Sequence, residues 1–427
     1  MKIRFYNARI MTMEQGCEIQ QGELAVVDDR IAYVGPERTA EQLAGSRWDR
    51  EVDVKGDVLM PGFKNAHTHS AMTFLRSFAD DMPLQDWLEK QIFPREAKLT
   101  PEDIYELSKL AILEYLTSGM TANFDMYLTP ETISQASRDM GFRTVMVGGV
   151  NNFSQSVPQL GDWYQKYNQK DDLVSFQLGF HAEYTATESL LREIAELAHS
   201  LKAPVYTHNS ETAAEVAGCR ERYGKTPTAL LEDLGMFEYG GGGYHCVYLT
   251  EEDMDIFQRH NMWVVTNPGS NTKLASGIAP ITRMMERGMN LAIGTDGPAS
   301  NNCLDMFREM FLVTGLAKLR EKDAAVVDAE AVLQMAAKGG ALAMQLPECD
   351  TLAVGKKADL IRIDLHQPNM QPLNNIAKNI VYSGSKQNVR MTMVNGEILY
   401  ENGEFRGDVD PEAIYAKANE IITRIGK

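Results

Sequence analysis

Cysteine is sparse in this chain and badly placed for structural use. Cys17, Cys219, Cys246, Cys303 and Cys349 are odd in number, scattered, and form no Cys-x-x-Cys, which excludes a disulfide framework and a cysteine-held zinc site. Long hydrophobic runs are missing too: no stretch spans a bilayer, and Met1-Lys2-Ile3-Arg4-Phe5-Tyr6 opens as a strand instead of a signal peptide. A cytoplasmic protein with no membrane partner is expected. Positive charge is in deficit, with 42 Lys+Arg against 59 Asp+Glu and a formal net charge of −17. The basic stretches, Lys356-Lys357 and Arg220 to Arg222, are too short to offset this, so nucleic acid is excluded as a partner. A phosphate loop is excluded as well, because Gly224-Lys225-Thr226 is preceded by Cys219 where the loop needs glycine.

What is present suits an enzyme. At 427 residues with 44% hydrophobic and 24% charged side chains, the chain can bury a large core, and an α/β barrel can use most of that length. Short alternating runs between turn residues fill the first 55 or so residues, and the texture returns in Ala358 to Ile363 and in Met391 to Val394, joined by Asn395-Gly396 to Glu397 to Tyr400. Asn-Gly between alternating runs is a strong hairpin signal. The two ends are expected to form one discontinuous β-sandwich, since each alone has too few strands to bury a face. Residues 1–57 and 347–427 are assigned to it, the latter with a C-terminal helix.

Between them, over residues 58–346, apolar strand-like segments alternate with helical ones, as in a parallel barrel. Thr100 reads as the N-cap of a helix with Pro101 at its first position, and Gly119 stops it. Eight strands are expected: 58–60, 121–124, 143–147, 175–180, 204–207, 243–247, 262–266 and 291–295. That is the number for a closed (β/α)8 TIM barrel, whose active sites lie at the C-terminal ends of the strands.

The polar residues follow those ends. His67 and His69 come after the first strand, His181 after the fourth, His208 and Glu211 after the fifth, His245 in the sixth, and Asp296 after the eighth. In extended backbone, residues two apart face the same way, so His67 and His69 can offer both imidazoles to one ion. A lone His-x-His is more often structural, and Glu211 or Asp296 alone could be a helix-start or turn carboxylate. Their recurrence at successive strand ends argues otherwise. His67, His69, His208 and Asp296 make three imidazoles and a carboxylate, a donor set for one divalent metal, Zn2+ first and Fe2+ second. Glu211 is placed to take a proton from water, His245 to orient the attack, and Asp296 to help protonate the leaving group. His199, His260 and His366 read as surface or helix residues.

The motifs Pro61-Gly62-Phe63-Lys64-Asn65-Ala66-His67-Thr68-His69, Thr207-His208-Asn209-Ser210-Glu211-Thr212, His245-Cys246-Val247, Ser270-Asn271 to Gly277, and Gly294-Thr295-Asp296-Gly297-Pro298-Ala299-Ser300-Asn301-Asn302 resemble the amidohydrolase superfamily. The likeness is to its cytosine deaminase-like branch, which includes S-adenosylhomocysteine, methylthioadenosine and adenosine deaminases. The resemblance implies the same four metal ligands, with Glu211 and His245 handling protons and His181 touching substrate. Leu75 to Leu88 and Phe93 to Thr100 are similar to the nucleoside deaminases, which implies that Glu96 holds ribose hydroxyls and Trp87 walls the purine pocket. The reaction implied is hydrolytic deamination of a purine-like heterocycle, an adenine nucleoside first. The alternatives on the same scaffold are dechlorination, guanine- or pterin-type deamination, and cyclic-amide hydrolysis. A small-molecule substrate is implied, with a homo-oligomer left open. Adenosine, methylthioadenosine and S-adenosylhomocysteine are the candidate nucleosides; relatives of this branch carry an arginine where this chain has Val147-Gly148-Gly149-Val150 and a proline at Glu183, so a cation that could pair the amino-acid carboxylate of the last is missing from that segment.

Overall fold

The computed structural model describes residues 1–82, 84–169, 171 and 173–426. Pro83, within the Leu75 to Leu88 stretch, and Lys427, at the end of the C-terminal segment, lie outside the described residues. Eight parallel strands run side by side in sequence order: Phe63–Thr68, Met120–Met126, Arg143–Val147, Val174–Ala182, Val205–Asn209, Gly241–His245, Trp263–Thr266 and Asn290–Ile293. The first and last are drawn together by the Asp296 N–H donating to the His67 carbonyl at 3.0 Å and the Thr295 N–H donating to Asn65 Oδ1 at 2.8 Å. These strands are almost wholly buried, because a barrel strand faces packed side chains within and helices without.

The chain ends form a second, nine-stranded mixed sheet. Its apolar face gathers Ile3, Phe5, Ile10, Leu24, Val26, Leu360 and Met393 into a separate core. The expected hairpin is there: Val389–Val394 and Glu397–Glu401 pair antiparallel around Asn395 and Gly396, both at positive φ. One expectation is corrected. Val58–Pro61 is a strand of this sheet, paired with the first strand of the chain and with Leu360–Ile363, and the first barrel strand is Phe63–Thr68. Pro61-Gly62 does not end the extended chain but carries it from one sheet into the other. His67 therefore sits inside a strand, and so do His181 and His208 near the ends of theirs.

The two sheets are tied by a buried bidentate ion pair. Arg143, at the start of its barrel strand, donates to both oxygens of Asp359 at 2.6 and 3.0 Å, and the same carboxylate accepts from the Asn395 N–H at 2.8 Å. Pairing of this kind lets two charges stay buried. The C-terminal helix Pro411–Ile425 lies against Pro101–Thr117, joined to it by Arg424 and Asp103. Among the described residues no helix is long and apolar enough to cross a membrane.

Helix Pro101–Thr117 begins as its sequence predicts: Thr100 accepts from the Asp103 N–H at 3.2 Å, and the Asp103 carboxylate accepts from the Thr100 N–H at 2.7 Å. This box satisfies two otherwise orphaned helix-start amides. Thr100→Ala removes one half of it and is expected to cost about 1 kcal/mol. The check is urea unfolding, where the midpoint should fall while the slope stays unchanged.

Candidate active site

Five histidine rings, Glu211 and Asp296 gather at the C-terminal end of the barrel. His67 and His69 point their Nε2 atoms at Asp296 Oδ1, at 3.4 and 3.2 Å. His245 Nε2 lies 4.0 Å from Asp296 Oδ2 and 3.9 Å from Glu211 Oε2. Ligand atoms of His67, His208, His245 and Asp296 all fall within 4.8 Å of one another. That group takes in His245, to which no ligand role was given, and leaves out His69, whose Nε2 nonetheless lies 3.2 Å from Asp296.

The outer nitrogens fix which tautomer each ring adopts. His69 Nδ1 faces the Met126 carbonyl at 2.6 Å, and His208 Nδ1 faces the His181 carbonyl at 2.6 Å. His245 Nδ1 faces Asn271 Oδ1 at 2.7 Å. A carbonyl oxygen can only accept, so each Nδ1 carries a proton, and in the neutral ring Nε2 then turns a lone pair inward; on His69 the Nε2 is also where the Asp296 carboxylate favours a second proton. His67 has no hydrogen-bond partner on either nitrogen although it is fully buried, stacked on Tyr244 with ring centroids 3.8 Å apart. Among the described residues, a buried imidazole with no hydrogen bond, its Nε2 facing a carboxylate and three further inward-turned Nε2 atoms, fits a divalent metal ion.

Electrostatics agree. Burial pushes the His67 ring down to about 3 and His208 well below the ordinary histidine value, keeping both in the neutral form that ligates. For Asp296, burial alone would raise the carboxyl, but the facing His67 and His69 nitrogens hold it well below the usual range. Burial likewise opposes charge on His69, yet the Asp296 carboxylate outweighs it and lifts that ring to about 9. The cluster is built to draw positive charge to one point.

Asp296 is clamped from three sides: Ser270 and Ser300 hydroxyls each donate to Oδ2 at 2.7 Å, and the Gly297 N–H donates to Oδ1 at 2.8 Å. Its backbone is left-handed at φ 59, as are Ser210 at φ 51 and His245 at φ 69. Strained turns of this sort cost about 1–3 kcal/mol each and cluster where function requires a fixed direction. Gly294 shows why glycine precedes the carboxylate: a Cβ there would lie 2.8 Å from His67 N and 2.5 Å from Asn267 Oδ1. Only a bare backbone lets the last strand approach the first so closely.

Above this cluster opens a cavity of about 570 Å3, within the ~300–1,000 Å3 usual for small-molecule sites. His69, His208, Glu211, His245 and Asp296 form its floor, while His67 lies beneath, fully enclosed. Glu96, His181 and Trp87 all line the same cavity. Trp87 is 5% exposed. Glu96 is half-buried with Oε1 fully enclosed and unpaired, and burial pushes its carboxyl up to about 7. The remaining wall is largely apolar, with Met72, Leu88, Ile92, Phe93, Leu128 and Phe153. His199, His260 and His366 lie elsewhere, paired with Glu238, Glu232 and Asp57.

Sequence reasoning assigned no role to Ser270, Asn271, Ser276 or Ser300. Their signal lay in the Ser270-Asn271 and Ser300-Asn301 stretches, yet the reason for them, hydrogen bonds to His245, Glu211 and Asp296, exists only in three dimensions. Tyr127 and Tyr184, which also line the cavity, gave no signal.

The sequence model of the amidohydrolase family matches residues 58–399. The chain is 38% identical, over 97% of its own length and 96% of the other, to a 5-methylthioadenosine/S-adenosylhomocysteine deaminase of Caldanaerobacter subterraneus subsp. tengcongensis. It is 38% identical over 93% of its length and 92% of the other to a 5'-deoxyadenosine deaminase of Methanosarcina acetivorans. In structure it resembles an adenosine deaminase from Xanthomonas campestris solved with bound zinc, with a TM-score of 0.93, 33% identity, and coverage of 99% of this chain and 98% of that one. With its barrel, its histidine and carboxylate cluster, and similarity running nearly end to end, the chain belongs to the amidohydrolase family.

Proposed function

We propose that this protein is a zinc-dependent hydrolytic deaminase of adenine nucleosides bearing a neutral 5' substituent, releasing ammonia from the amino-bearing ring carbon. The observation that carries this reading is the metal-fitting cluster with a further carboxylate, Glu211, at the floor of a cavity whose wall is largely apolar. One zinc ion held by His67, His69, His208 and Asp296 would supply Lewis acidity, lowering the pKa of its water toward about 7. Glu211, oriented by the Ser276 hydroxyl at 3.0 Å, takes the water's proton and delivers it to a ring nitrogen. His245, its Nδ1–H held by Asn271, turns Nε2 toward the attacking oxygen, and Asp296 serves the departing amine. Trp87 and the apolar wall take the base, His181 its edge, and Glu96 the sugar hydroxyls. Those hydroxyls donate to the Glu96 carboxylate and favour its charged form, offsetting the burial that pushes it up to about 7. Similarity to relatives named for adenine-nucleoside deamination supports the substrate class.

Among the described residues, no lysine or arginine lines the cavity. A carboxylate carried in on a 5' amino-acid tail would find no cation to pair with, and burying it unpaired is costly. Ammonia release is therefore expected from 5'-methylthioadenosine with kcat/KM at least ~10-fold above S-adenosylhomocysteine, a difference of about 1.4 kcal/mol. Equal efficiency on the two would overturn the neutral-substituent reading. Chloride or a new carboxylate as product, from other heterocycles, would overturn deamination itself.

A further inference from the structure

Behind the catalytic floor, Glu309 sits on helix Met306–Glu321, fully buried, with its carboxylate between two loops. Its Oε2 accepts from the Gly269 N–H at 2.8 Å and its Oε1 from Asn301 Nδ2 at 2.8 Å. Neither donor carries charge and burial raises the carboxyl, yet both oxygens accept, which is the arrangement of the ionised form. A carboxylate there opposes stability, so its place is explained by what the two donors hold. Gly269 opens the short segment whose next residues are Ser270, bonded to Asp296, and Asn271, bonded to His245. Asn301 follows Ser300, also bonded to Asp296, and its Nδ2 donates a second bond to the Thr295 carbonyl at 2.7 Å. Both serine hydroxyls that donate to the Asp296 carboxylate, and the amide that fixes the His245 ring, thus belong to segments docked on Glu309. A side chain on residue 269 is excluded, since its Cβ would lie 2.4 Å from Glu309 Oε1.

We propose that Glu309 is a positioning residue that sets the orientation of Asp296 and His245 as a pair, acting through Gly269 and Asn301 without touching substrate or metal. The inference rests on the metal-dependent reading above. Glu309→Gln keeps size and one acceptor, but its new amide NH2 must face either the Gly269 N–H or Asn301 Nδ2, donor against donor. Relief comes by turning the Asn301 amide, which takes Nδ2 off the Thr295 carbonyl, one residue from Asp296.

The test loads wild-type and Glu309→Gln proteins with Co2+ in place of zinc and compares metal content, the visible d–d spectrum, melting temperature, and kcat and KM on one nucleoside. The expected result is a folded variant that takes up cobalt but shows a shifted spectrum, with kcat down on the order of 10- to 100-fold and KM changed by less than about threefold. Should Glu309→Gln fail to fold, Asn301→Ala decides by the same readouts, since it removes one arm of the bridge and leaves the other. An unaltered spectrum and kcat in a folded, cobalt-loaded variant would overturn the role of Glu309 alone. A wild-type chain that takes up no Co2+ would overturn the metal-dependent reading, and this inference with it.

Discussion

Glu211→Gln is expected to lower kcat by about 10^2- to 10^4-fold while the protein stays folded and keeps its metal. The amide preserves shape and can still accept from the Ser276 hydroxyl, so the cavity should not rearrange. What it cannot do is take a proton from water and return it to the substrate ring. Glu211 lies beside His245, at 3.9 Å, on the rim of the metal-fitting cluster. Ammonia release and metal analysis on one preparation separate the two effects. Full activity in the variant would remove Glu211 from the proton path, and loss of metal along with activity would make it a ligand instead.

Metal removal should have an effect at least as large. Chelation is expected to reduce ammonia release below about 1% of the starting rate, with Zn2+ restoring it, because without Lewis acid assistance water stays near a pKa of about 16. Stability should move in parallel. An ion present at 100 times its dissociation constant stabilises the folded state by about 2.7 kcal/mol, and the melting temperature should fall on chelation accordingly. His67→Ala should reproduce the loss permanently, because that ring is fully buried and its nitrogens have no other hydrogen-bond partner. A chelated protein with undiminished turnover would sink the metal reading outright.

Much of this site was legible in the sequence because barrels link strand order to active-site position. Strand order puts His181, His208, His245 and Asp296 at one rim, and the two-residue spacing of His67 and His69 aims both at the same point. In the fold His67 lies within Phe63–Thr68 and His69 one residue past its end, and both Nε2 atoms face Asp296. Pro61-Gly62 looks like a strand end, since proline lacks an N–H and glycine weakens pairing. In the fold, Gly62 instead donates to the Asp359 carbonyl at 3.1 Å as the chain passes between sheets, a partner nearly three hundred residues away that no local pattern encodes.

The sequence by itself determined the alternation of strands and helices, the Thr100 cap, the Asn395-Gly396 turn and which histidines and carboxylates have the chemistry to hold a metal, because each depends on residue chemistry and near neighbours. Tertiary structure alone decided the rest. It put Gly294 hard against His67, paired the Nδ1 atoms of His69, His208 and His245 with oxygens, and brought His245 Nε2 to 4.0 Å from Asp296. It also enclosed Glu96 and Trp87 in one cavity with the metal cluster. Hydrogen-bond direction and burial are properties of the closed barrel, and they come into being only when its first strand meets its last.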